Sequence, residues 1–89
     1  MPRSVGELAA SSPEWRVTWT RHGQWVTAER VVIAGGRRWT IGLTPTTAGM
    51  TALVLWSDDE VAEHARGTEA QMCALAHRRA ETTAHGHSP

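Results

Sequence analysis

The chain has 89 residues, nine basic side chains that are all arginine, nine acidic side chains, and a formal net charge of zero with histidine neutral. This length supports one domain with a single small core. The only cysteine, Cys73, excludes an intramolecular disulfide framework and a cysteine-based zinc site.

The N-terminal residues 1–12 (MPRSVGELAASS) lack the apolar run of a signal peptide, and we expect them to be a flexible segment. The longest apolar run, 52–56, is far too short to cross a bilayer. Together with the single cysteine, these features predict a reducing, cytoplasmic location. The absence of lysine beside many arginines indicates a GC-rich, bacterial coding sequence.

The first predicted hairpin begins with WRVTWT, which alternates between apolar and polar residues and predicts a half-buried strand over 14–20. The dipeptide His-Gly that follows suits a two-residue type I′ turn into a second strand over 24–34. This register places Arg16 opposite Glu29, a favourable cross-strand pair.

A second hairpin turns at the two consecutive glycines, Gly35 and Gly36, into a strand over 37–43. Arg30 is the one charged residue that this register places on the core face, where stacking on Trp15 accommodates it. The two hairpins otherwise agree on one apolar face, whose expected members are Trp15, Val17, Trp19, Val26, Ala28, Val32, Trp39, Ile41 and Leu43.

The chain after the hairpins predicts a fourth strand over 51–57 that is apolar on both faces, as in central strands. Ser57 and Glu60 have the spacing of a capping box, and the apolar residues that follow recur at helical spacing. The expected fold class is therefore α+β, a four-stranded antiparallel β-meander packed on one C-terminal helix over about 58–82. We expect one domain over 13–82 and a flexible tail over 83–89.

The opposite, outer sheet face raises the functional question, because the run Val31, Val32, Ile33 places apolar groups on both faces of one strand. Trp25 and Trp56 add to this patch, and a monomer seldom leaves such an area uncovered. Three coverings are possible: a second copy of the chain in a two-fold dimer, a nucleic acid, or this chain's own N-terminal segment or a helix bent at Gly67.

We favour the second copy, which predicts a small, non-enzymatic interaction or regulatory module that acts as a homodimer; another protein partner is also possible. The alternative is a nucleic-acid-binding module in which arginines contact phosphates and a tryptophan stacks on bases. The candidate binding residues for a partner or a nucleic acid are Arg16, Trp25, Val31, Ile33, Arg37, Arg38 and Trp56.

The layout GQWVTAERV…GGRRWTIG, which spans the second and third predicted strands, resembles that of AP2-type and integrase arm-binding DNA domains. Those domains consist of a three-stranded meander backed by a helix, and their sheet enters the major groove. The resemblance implies a DNA-binding sheet face.

Residues with catalytic or metal-binding chemistry have simpler explanations here. Cys73 and His77 are four apart on the predicted helix, as metal ligands can be, but burial of a small cysteine explains the first. The acidic run 58–60 suits a helix start, and His85 and His87 lie in the predicted tail. We therefore predict no catalytic residue, no metal and no cofactor. An enzyme or ligand carrier with a pocket between sheet and helix is the least favoured hypothesis.

Overall fold

The computed structural model describes residues 1–84 as one five-stranded antiparallel sheet with two α-helices. This confirms the α+β class and the sheet packed against a C-terminal helix, whereas the predicted number of four strands is wrong. In chain order the elements are α1 (Val5–Ser11), β1 (Arg16–Trp19), β2 (Trp25–Ala34), β3 (Arg37–Pro45), a short 3-10 helix (Thr47–Gly49), β4 (Met50–Ser57), β5 (Glu60–Thr68) and α2 (Glu69–Ala84).

The sheet is a meander in which β1 to β5 pair in sequence order. The register of the β2–β3 hairpin is the predicted one, with Val32 opposite Trp39. Gly35 and Gly36 form its turn at φ angles of 61° and 74°, a left-handed conformation that glycine adopts without steric cost. The position of the apolar strand β4 between β3 and β5 agrees with its two apolar faces.

The first hairpin follows the predicted register only in part. Arg16 lies opposite Glu29, but a bulge after Thr18 places Trp19 opposite Trp25. The cause is a longer turn than predicted, because the Thr20 hydroxyl accepts hydrogen bonds from two backbone N–H groups of the loop and closes it. As a result Trp19 is 49% exposed, so its predicted place in the core is wrong.

Val26, which was expected opposite Trp19 in the core, is 40% exposed. It therefore also lies outside the core, as a consequence of the same irregularity.

The segment predicted as the start of the long helix instead forms a hairpin and the fifth strand. Asp58 adopts a positive φ of 54°, and its carboxylate accepts a hydrogen bond of 3.0 Å from the backbone N–H of Arg38. Asp58 and Asp59 are therefore turn residues and Glu60 begins β5, so the acidic run is not a helix start. The sequence of β5 hides its strand period because the register shift between Leu55 and Trp56 puts Val61 and Ala65 on opposite faces, although their spacing of four suits one face of a helix.

The capping box of α2 lies eleven residues later than predicted, at Thr68 and Gln71. The Thr68 hydroxyl accepts from the Gln71 backbone N–H at 3.1 Å, and the Gln71 side chain accepts from the Thr68 N–H at 3.0 Å. Gly67 is therefore the buried, next-to-last residue of strand β5 and does not bend a helix.

The N-terminal segment expected to be flexible contains α1. The Ser4 hydroxyl accepts from the Glu7 backbone N–H at 3.1 Å, and the Val5 N–H donates to the Glu69 carboxylate at 2.9 Å. Val5 and Leu8 are fully buried. At the other end, α2 continues through Ala84, and the rest of the predicted tail, 85–89, lies outside the described residues.

The core lies between the two helices and one face of the sheet, which we call the inner face. Arg30 lies on this face with its guanidinium carbon 6.0 Å from the Trp15 ring centroid, the predicted contact, and pairs with Glu14 at 2.9 Å. The buried hydrophobic residues of the core cluster are Val5, Leu8, Trp15, Ala28, Ile41, Leu43, Leu53, Leu55, Met72, Cys73, Ala76 and Ala80.

An ion pair joins α2 to strand β5. Arg79 donates two hydrogen bonds to the Glu63 carboxylate, at 2.7 and 2.9 Å. These hydrogen bonds lower the pKa of Glu63 and raise that of Arg79. The pair therefore fixes the far end of the helix against an edge strand.

We predict that Thr68→Ala lowers the free energy of unfolding by about 1 kcal/mol, because the α2 N-cap loses its acceptor. Urea unfolding monitored by circular dichroism measures this loss. Thr82→Ala, an exposed threonine inside the same helix, is the matched control and should leave stability almost unchanged. Equal effects of the two substitutions would contradict the capping role.

We also predict that Glu63→Gln costs about 1 kcal/mol at pH 7, the size of a partly exposed, charge-assisted pair. Since the folded-state pKa of Glu63 is lowered, its stabilisation exists above the ordinary carboxyl value of 4.5 and is lost as pH falls below it. The stability difference from wild type should therefore shrink between pH 5 and pH 3. Glu60→Gln on the same strand is the control, and a pH-independent difference for Glu63→Gln would contradict the ion pair.

Candidate functional site

The outer face of the sheet is the surface that turns away from both helices. Because cross-strand partners share a face, the strand registers assign its members. They are Arg16, Thr18, Thr27, Glu29, Val31, Ile33, Arg38, Thr40, Gly42, Thr44, Ala52, Val54, Trp56, Val61, His64 and Arg66.

One line of cross-strand partners on this face, which we call the apolar row, consists of Val31, Thr40, Trp56 and Val61 on strands β2 to β5. Trp56 is 40% exposed and Val61 is 51% exposed. Ile33, which is two residues after Val31 on β2 and on the same face, is 71% exposed. Among the described residues, Ile33, Trp56 and Val61 thus leave apolar surface in contact with water on this face, and Thr40 separates Val31 from Trp56 in the row.

Charged residues flank the apolar row on both sides. Arg16 and Glu29 are partners in the next row, and Arg38 lies on the other side, beside Ile33. Within residues 1–84, none of these three side chains makes a hydrogen bond or ion pair. They line one open hollow of about 390 Å³ together with Val31. The outer face therefore offers unpaired charges of both signs next to apolar surface.

The structure places five of the seven predicted binding residues on this face and two elsewhere. Trp25 is half-buried and packs against the core cluster. Arg37 alternates toward the inner face and lies 3.5 Å from Asp58. The five that the outer face brings together are Arg16, Val31, Ile33, Arg38 and Trp56.

Gly42 is a member of the face that sequence reasoning missed. It lies in the central strand β3 between Glu29 and Val54, and a Cβ atom there would lie 3.9 Å from the Val54 carbonyl oxygen, an ordinary contact. The fold therefore does not require glycine at this position. Glycine inside a strand costs stability and often marks a place where another group approaches closely. The signal was visible in the sequence as a glycine inside the predicted strand 37–43.

Val61 was also missed, because the sequence predicted it on the buried side of a helix. In the structure it ends the apolar row on strand β5. Only the strand pairing, which brings it beside Trp56, shows that it belongs to the outer face.

The titratable residues of α2 do not form a second site. Burial, reinforced by the nearby carboxylates of Glu69 and Glu7, raises the pKa of the Cys73 thiol to about 12. His77 lies 3.7 Å from Glu81. Within residues 1–84 no three histidine, cysteine or acidic side chains cluster as metal ligands do. The predicted tail histidines, His85 and His87, lie outside the described residues.

Over the same described range, neither helix is long and apolar enough to span a membrane.

Comparisons of the chain with protein-family models, with curated proteins and with solved structures find no match. The resemblance of residues 23–42 to AP2-type and integrase arm-binding domains therefore has no support from a family model. The sheet also has five strands where that layout has three. The functional argument rests on the outer face itself.

We predict that Gly42→Ala raises the free energy of unfolding of the single chain by about 0.5–1 kcal/mol, since alanine loses less conformational freedom than glycine and fits the strand. Chemical denaturation of dilute protein measures this change. A clear destabilisation would show that the fold itself needs the glycine.

Proposed function

We propose that this protein is a small, non-enzymatic interaction module that acts as a homodimer through the outer face of its sheet. The observation that carries the proposal is the exposed apolar row, which neither helix covers because both pack on the inner face. An accessory or regulatory role is consistent with a candidate site that is an open sheet face and not a catalytic pocket.

The exposed side chains are numerous enough to drive association. Full burial of a completely exposed aliphatic or aromatic side chain contributes about 1.5–3 kcal/mol, and Ile33, Trp56 and Val61 have 71%, 40% and 51% of their surface left to bury. Each can therefore contribute roughly half of that value to a micromolar dimer, which requires about 8 kcal/mol. Ile33, Trp56 and Val61 occur twice in a two-fold dimer, so six anchors would be buried. A few buried anchors of this kind dominate the energy of most interfaces.

The dimensions of the face are also sufficient. Five strands about 4.8 Å apart, with four side-chain rows about 6.8 Å apart, span an area of roughly 500–700 Å² per copy. Two such surfaces bury about 1,000–1,400 Å², near the lower end of specific protein interfaces. The outer face is therefore large enough for a weak but specific dimer.

Nucleic-acid binding is the second candidate, because Arg16, Arg38, Arg66 and Trp56 share the outer face. Guanidinium groups contact phosphates, and an exposed indole stacks on bases. The exposed Ile33 would find no matching chemistry on a phosphate backbone, and for this reason we favour the dimer.

We expect sedimentation velocity to show a dimer of the wild-type protein at micromolar concentration. Ile33→Glu should shift it to monomer, because the glutamate would place a charge inside the apolar interface. Val26→Glu is the matched control, since Val26 is an exposed valine of the same strand on the opposite face, and this variant should remain dimeric.

A wild-type protein that sediments as a monomer throughout the micromolar range would contradict the proposal. An unchanged dimer of the double variant Val31→Glu, Ile33→Glu would show that the interface lies elsewhere. The same measurement with duplex and single-stranded DNA at low salt tests the alternative. A complex that dissociates steeply with added salt would support the nucleic-acid function instead.

A further inference from the structure

We infer that the two copies face each other about a two-fold axis that runs along the apolar row. In this arrangement Arg38 of each copy lies over Gly42 of the other copy and forms an ion pair with Glu29 of that other copy. This inference rests on the proposed function and specifies the contact that aligns the dimer. It is argued from three residues of one face: Arg38 and Glu29, whose side chains have no partner among residues 1–84, and Gly42, where the fold does not need glycine.

Symmetry restricts how this face can contact itself, because residues on a two-fold axis meet their own copies. An axis parallel to the strands, centred on β3, would place Arg38 against Arg38 of the second copy. An axis along the row of Arg16 and Glu29 would stack each of these charges on its own copy. Both arrangements oppose like charges in a desolvated interface.

An axis along the apolar row has no such conflict. It places Trp56 against Trp56 and Val61 against Val61 of the second copy, so these two exposed residues are covered by apolar partners. The row on one side of the axis in the first copy then faces the row on the other side of the axis in the second copy. Each strand meets the same strand of the second copy, with the row before the axis facing the row after it.

The exchange brings Arg38 over Gly42 of the second copy, since both lie on β3, two residues on either side of Thr40. Glu29 of the second copy is the cross-strand neighbour of that glycine, about 4.8 Å away across the ladder. Ile33 of the first copy lies over this glutamate and shields the ion pair from water.

Gly42 provides the space for this contact. Packed sheets lie about 10 Å apart, so an arginine side chain that points at the facing sheet reaches its backbone unless a side chain intervenes. Any larger residue at position 42 would fill the place of the guanidinium. A Cβ atom fits at position 42 in the single chain, so in this arrangement the glycine serves the interface and not the fold.

The ion pair between Arg38 and Glu29 determines how the two sheets align more than it determines the affinity of the dimer. Apolar surfaces slide over one another with little change in energy, whereas a displaced Arg38 would leave two desolvated charges unpaired. Two such pairs, related by the axis, favour one alignment of the sheets over its neighbours.

Charge reversal tests the contact. Arg38→Glu and Glu29→Arg should each weaken dimerisation about tenfold or more, because each places like charges together twice. An equimolar mixture of the two variants should form a heterodimer of near wild-type affinity, since both contacts are then between opposite charges. The double variant Arg38→Glu, Glu29→Arg should likewise recover a homodimer. Arg78→Glu, at an exposed position of α2 on the other side of the sheet, is the control and should remain dimeric.

Gly42→Leu provides an independent test that does not alter charge. We expect it to keep the circular dichroism spectrum of the wild-type protein and to lose the dimer. If wild type is a dimer and the single charge variants keep its affinity, the contact is wrong while the proposed homodimer stands. Weakened single variants that do not recover on mixing would likewise overturn the contact. A monomeric wild-type protein would remove the proposed function as well.

Discussion

The sheet carries apolar residues on both faces, but both helices pack on only one of them, and the rest of the structure follows from this constraint. A meander has short connections, so a helix can precede the first strand and follow the last, but none crosses between strands. The chain packs both α1 and α2 on the inner face. The outer face, with Ile33 and Trp56 exposed, is left to solvent or to a partner.

The inner face shows how so short a chain secures its core. Val5 and Leu8 of α1 fill the space beside α2, and the Val5 N–H bonds the Glu69 carboxylate. The ion pair of Glu63 with Arg79 attaches the other end of α2 to the sheet. Charged contacts thus occur at the margins of a core that is itself almost wholly apolar, because buried charges are costly without partners.

The outer face follows a different rule. Three of its charged side chains line one hollow, yet Arg16, although opposite Glu29, makes no ion pair within the described residues. Exposed apolar side chains and a glycine inside a strand, such as Gly42, are both unfavourable on a surface that contacts only water. These features make the outer face a candidate interface. The buried Cys73 offers no comparable case for a catalytic site.

The sequence by itself determined the two β-hairpins around the glycine turns, the apolar strand β4 and the presence of a C-terminal helix, because alternation and turn residues act over a few neighbouring residues. It also identified Ile33 and Trp56 as exposed candidates. Only the tertiary structure decided that residues 60–68 form a strand, that Trp25 packs against the core, and that Val61 joins the apolar row. The physical reason is that residues 60–68 mix helix-forming residues with Val61 and Gly67, so their local preference is weak and pairing with β4 decides the conformation.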